Sequence, residues 1–170
     1  MAGSDHTQLR LAEEEFENPI PSDLRIFWSL TDGQSQNLNS PGVYQGDFRF
    51  LSIKHSMELR DEMQQFQDET NEKDFAEIYT GEGVQPGFWR AGWIPFAHAH
   101  DGSLLCVDLE PLTGGTVGQV IGVYIQSERH LLAASFGEWL AALVTDLEGG
   151  KYRVDENGHL WEQDRGFAKD

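Results

Sequence analysis

The sequence predicts an α+β fold built as a single domain, and three observations predict it. The middle of the chain holds short apolar runs at 93–97, 104–109 and 117–125, separated by His100-Asp-Gly102 and Thr113-Gly-Gly115. Segments with apolar residues at helical spacing lie before and after those runs. The length, 170 residues, suits one domain. Together they predict one antiparallel sheet, with a mixed edge allowed, flanked by helices.

Each element has its own warrant. Leu9, Ala12 and Phe16 recur at helical spacing around Glu13, Glu14 and Glu15, until Asn18-Pro-Ile-Pro21 breaks the pattern. Ser22 is placed to cap a second helix, with Leu24, Phe27 and Trp28 on one face and Gly33 at its left-handed stop. Residues 34–46 read as a loop and 48–53 as a short strand. A helix from Ser56 then turns Leu59, Met63 and Phe66 inward. After the apolar runs, Ser135 and Glu138 form a capping box for a helix whose buried stripe is Phe136, Trp139, Leu140, Leu143 and Leu147. Residues 152–154 and 159–161 flank Asn157-Gly158, a hairpin signal. Trp28, Trp93, Phe96, Phe136 and Trp139 are the expected core aromatics.

Composition narrows the function. A net charge of −17 argues against nucleic acid or an anionic membrane as partner, because phosphate contacts need clustered Lys and Arg. Hydrophobic and aromatic contents of 39% and 11% argue against a disordered acidic tail. A single cysteine leaves no intramolecular disulfide. No stretch reaches the roughly 20 apolar residues of a membrane span, and no signal peptide is evident, so a cytoplasmic protein is expected.

The charge is uneven. From Glu58 to Glu82 nine acidic residues face only Arg60 and Lys73, a net of −7. This window is read as a docking surface for a basic protein partner, engaged by Glu69, Glu72, Asp74, Glu77 and Glu82. Tyr79 or Trp89 would be the apolar anchor, and Asp101 an outlying contact.

Motifs for catalysis are sparse. The glycines at 114, 115, 118 and 122 lack the Gly-Lys of a phosphate loop and lead into a strand. Cys106 sits in an apolar strand, the opposite of an activated thiolate. His98, His100 and Asp101 form the one constellation with metal-like spacing, since i and i+2 share a face in extended chain. It lies at a turn without other spaced ligands, so neither metal nor cofactor is expected. A metal-dependent enzyme using these three residues is kept as an alternative.

The order of blocks resembles the SUKH superfamily. Ile20-Pro-Ser-Asp-Leu-Arg-Ile-Phe-Trp28 with Asp32-Gly33 is similar to its opening. Trp93-Ile-Pro-Phe-Ala97, Asp101-Gly102 and Leu105-Cys-Val-Asp-Leu109 are similar to its central hairpin. Gly118-Gln-Val-Ile121 and Ser135-Phe-Gly-Glu-Trp-Leu140 resemble its next strand and closing helix. The likeness covers about 12–148, with the hairpin at 151–162 beyond it. It implies an α+β, non-enzymatic binder, since the superfamily includes fungal cell-wall regulators and bacterial toxin-immunity proteins. The fungal members are usually longer, so the expectation is an immunity protein that occludes a cognate toxin with a basic surface. The alternative is a protein-binding regulator of a host enzyme or cell-wall assembly pathway.

Overall fold

The computed structural model describes residues 3–37, 41–44, 47–69, 78–124, 128–156, 158 and 160–162. Among them, five strands form one antiparallel sheet in chain order: β1 (Arg49–Phe50), β2 (Trp93–His98), β3 (Leu104–Asp108), β4 (Gln119–Val123) and β5 (Arg129–Ala133). The described helices are α1 (His6–Glu15), α2 (Ser22–Leu30), α3 (Ile53–Glu69) and α4 (Phe136–Glu148). A separate hairpin pairs β6 (Tyr152–Val154) with β7 (Leu160–Glu162). The fold is α+β, as the sequence predicts.

β3 and β4 are buried along their whole length, so the sheet is covered on both faces. Alternate residues divide accordingly. On one face Ile94, Phe96, Leu105, Val107 and Val120 share a core with Leu24 and Trp28 of α2 and with Phe136, Trp139 and Leu143 of α4. The Phe96 ring stands 5.0 Å from both Phe136 and Trp139, edge-on. On the other face Trp93, Leu104, Cys106, Ile121 and Val123 cluster with Val84 and Trp89 of the preceding loop and with Leu59 and Met63 of α3. Pro95 has no N–H to give a ladder, and the register with β3 slips between Pro95 and Ala97.

Several local expectations change. Asp5 and Gln8 close a capping box at α1 that the sequence reading passed over. Ser22 does not cap α2; Asp23 accepts the Leu24 N–H at 2.9 Å and the Gly137 N–H at 2.7 Å, tying the starts of α2 and α4 together. α2 leaves its helix at Thr31, in extended conformation, before Gly33 is reached. Gly33 (φ +73°) instead lets two chain segments meet, since a Cβ there would lie 2.4 Å from the Ser52 nitrogen.

The strand expected at 48–53 shrinks to two residues because the Ser52 hydroxyl accepts the His55 N–H at 3.2 Å and opens α3 early. Ser56 becomes a buried helical residue donating to the Pro95 carbonyl at 2.5 Å. Phe66 is 52% exposed rather than inward and rests on Phe88, 4.8 Å away. Leu147 lies outside the α4 stripe at 37% exposure, a full turn beyond Leu143.

Candidate interaction surface

The acidic window resolves into separate places. Glu69 is exposed at the end of α3. Glu72, Asp74 and Glu77 lie outside the described residues. Residues 79–81 run parallel to β5: the Arg129 N–H donates to Tyr79 O at 2.9 Å and the Gly81 N–H to Arg129 O at 2.7 Å. These bonds fix the backbone and leave the Tyr79 side chain 62% exposed, its ring 6.1 Å from His130. Glu82 follows, exposed, at the turn where Gly83 (φ +75°) passes against the Gly115 backbone.

Asp101 is exposed in the β2–β3 turn, where its carboxylate accepts the Ser103 N–H at 2.8 Å. The Tyr79 segment instead pairs with β5, so β4 and β5 lie between it and the β2–β3 turn in the order of the sheet. Tyr79 and Glu82 therefore share one segment, and Asp101 is apart from them.

Trp89 corrects an expectation. It is 1% exposed and packs edge-on against Trp93 at 5.6 Å, so its ring anchors the loop to the sheet and is closed to a partner. Its backbone N–H donates to Gln67 of α3 at 3.0 Å. An apolar ring in a polar loop is what a loop needs to cover a sheet face.

Polar groups are buried beneath that loop. Asp108 accepts the Gln119 amide at 2.9 Å and the Glu110 N–H at 2.9 Å, and burial pushes its carboxyl up against these bonds. Gln119 also donates to Gly83 O at 3.1 Å. Arg129, buried and with no carboxylate in ion-pair range among the described residues, donates to the carbonyls of Tyr124 at 2.8 Å and Phe88 at 3.0 Å. Burial lowers its pKa to about 10. Burial likewise raises the Cys106 thiol well above its ordinary range, which removes it as a nucleophile.

His98 is half-buried and its pKa falls below 6.5 through burial, with Asp101 pulling the other way. The His100 N–H donates to Asp47 at 3.0 Å. Among the described residues no group of three or more His, Cys, Asp or Glu is placed to hold a metal ion. No described helix is long and apolar enough to cross a membrane.

A cleft lies between α4 and the β6–β7 hairpin, with a volume of about 270 Å³. Tyr44, Trp139 and Tyr152 give it aromatic walls, and Asp146, Lys151 and Glu162 give it charge. Tyr44 meets Trp139 edge-on at 5.4 Å. Lys151 reaches Asp146 at 2.9 Å and Glu162 at 3.3 Å while standing 5.9 Å from the Tyr152 ring centre. Partial burial raises the Tyr152 phenol pKa. The sequence reading missed this site because its walls come from segments scattered from residue 44 to 162, none with a motif of its own.

Comparison with known proteins now bears on the whole chain. The SMI1 / KNR4 family (SUKH-1) model matches residues 3–142. The chain is 30% identical over 156 residues to the cell wall biosynthesis/cell cycle regulator smi1 of Schizosaccharomyces pombe, covering 85% of this chain and 31% of that protein. It is 35% identical over 85 residues to KNR4/SMI1 homolog 2 of Debaryomyces hansenii, covering 49% of this chain and 14% of the relative. It is 32% identical over 83 residues to the cell wall assembly regulator SMI1 of Saccharomyces cerevisiae, covering 48% of this chain and 16% of the relative. The chain thus spans less than a third of the length of these relatives. With sheet, helices and blocks in the expected order, it belongs to the SMI1 / KNR4 family (SUKH-1).

Proposed function

We propose that this chain is a non-catalytic binding module that regulates a protein partner in cell-wall assembly. The observation that carries the reading is the family match over residues 3–142, joined to relatives named as cell-wall regulators. The immunity reading drew on chain length, and the relatives named as fungal cell-wall regulators favour the alternative over it. The exposed Tyr79 between Glu69 and Glu82 supports a partner with a basic surface. Exposed acids set association rate and salt dependence, and a desolvated aromatic sets dissociation.

The test is capture from fungal extract on the immobilised chain, with partners identified by mass spectrometry. Cell-wall assembly proteins with basic segments are expected, and Tyr79→Ala combined with Glu82→Lys should release them. Binding kinetics of one captured partner should show slower association and a flatter salt dependence for Glu69→Lys with Glu82→Lys. Identical capture by parent and variants would move the interface; a captured set without any cell-wall assembly protein would overturn the reading.

A further inference from the structure

The cleft between α4 and the hairpin already holds a cation. Lys151 is clasped by Asp146 from α4 and Glu162 from β7, beside the face of Tyr152. Its amine pKa is raised by those two carboxylates. Yet the lysine leaves open space beside it, about 270 Å³. Its side chain stays 41% exposed, and one ammonium against two carboxylates leaves the cleft net negative.

Trp139 is 4% exposed and closes the floor of the cleft, so the half-buried Tyr44 and Tyr152 are the rings that a planar cation can meet. A guanidinium suits the space better: it is planar, stacks on rings, and pairs with carboxylates through a rigid fork of donors. The volume, about 270 Å³, lies just under the range of small-molecule pockets and accommodates one long side chain. An anion would meet Asp146 and Glu162, and a purely apolar group would strip water from both without replacing its hydrogen bonds.

We propose that the cleft walled by Tyr44, Trp139 and Tyr152 is a receptor for one arginine side chain of a protein partner. Lys151 holds the place that the incoming guanidinium takes. The inference rests on the reading of the chain as a protein-binding module, and it does not depend on the Tyr79 surface. A guanidinium bridging Asp146 and Glu162 joins helix to hairpin as Lys151 does now, so the occupied and empty cleft keep the same shape.

The test is an NMR titration of the whole 170-residue chain with Nα-acetyl-arginine amide as probe. Saturable shifts are expected at the Trp139 indole N–H and at the backbone amides of 142–152. The blocked citrulline amide, of similar shape but uncharged, should give none. Free arginine, the other source of a guanidinium, should bind more weakly because its carboxylate meets Asp146 and Glu162.

Lys151→Ala should tighten the probe about threefold, the scale of one cation–aromatic contact, and Asp146→Asn should weaken it to a similar degree. A merely structural Lys151 predicts no tightening. Lys151→Gln, which keeps a donor for both carboxylates, should tighten the probe likewise where loss of the side chain loosens the hairpin. Equal shifts from citrulline, or tightening from neither Lys151 variant, overturn the proposal. Capture that still depends on Tyr79 alongside a cleft that ignores the probe sinks this inference alone. Failure to capture any cell-wall assembly protein sinks the regulator reading whatever the titration gives.

Discussion

The two faces of the sheet are closed by different means. Helices α2 and α4 cover the first, and it is packed largely by rings and aliphatic chains. A loop, residues 84–89, helps cover the second, where Asp108, Gln119 and Arg129 are buried. A helix bonds its own backbone internally and can present a purely apolar stripe. A loop brings unpaired backbone groups into the interior, and these need partners. Arg129 supplies one to Phe88 O, and Gln119 supplies one to Gly83 O. The pairing is incomplete: among the described residues the Trp89 indole N–H and the Arg129 Nε find no acceptor, whereas the Trp93 indole favours the charged form of the Asp108 carboxyl beside it.

Truncating the central rings is the coarsest probe of this contrast. Trp139→Ala on the first face and Trp93→Ala on the second should each cost about 3–5 kcal/mol, read from thermal or urea unfolding. A variant of either that melts like the parent would remove its ring from the core. Next, Arg129→Ala should cost about 3 kcal/mol, since the buried carbonyls of Tyr124 and Phe88 lose a charged donor. It should also speed proteolysis within 84–89 more than an α4 variant with the same loss of stability does.

The sharpest comparison exchanges indole for phenyl. Trp28 donates to Leu51 O at 3.0 Å, whereas the buried Trp89 indole N–H finds no acceptor among the described residues. Trp28→Phe should therefore be worse than Trp89→Phe by about 1–2 kcal/mol in paired urea melts. Equal losses would mean that the Trp89 indole has an acceptor.

Acid should act more gently, through His98. Its folded pKa lies below the ordinary 6.5, so on acidification the unfolded chain takes up this proton first. Stability falls as pH drops through 6.5, and His98→Gln should flatten the slope between pH 7 and 5. An unchanged slope would assign it to other groups. Smallest of all, Tyr79→Ala should shift stability by less than about 0.5 kcal/mol, which keeps its binding test free of folding effects.

The contrast also explains what could be read in advance. β2, β3 and β4 were legible because continuous apolar runs fit strands buried on both sides. β5 was not, because Arg129 and His130 open it and its place is fixed by pairing with β4 rather than by its own pattern. The start of α3 moved from Ser56 to Ser52 because either serine can cap and only tertiary contact with Pro95 buries the second. Trp89 misled because a ring beside glycine, proline and arginine looks exposed, and nothing local says that a loop must cover a sheet. The acids of the window are visible in any sequence count, but their separation from Asp101 is a matter of sheet topology.

Cys106 lies in the middle of β3, fully buried, and it is the chain's single cysteine. A thiol reagent can reach it only when the 84–89 loop or α3 lifts, or β3 parts from a neighbour. Native-state labelling at this one address therefore acts as a clock for opening of the loop-covered side, reporting its free energy without signal from anywhere else. Run beside the Arg129→Ala and Trp89→Phe variants, that clock separates loosening of the loop from melting of the whole molecule.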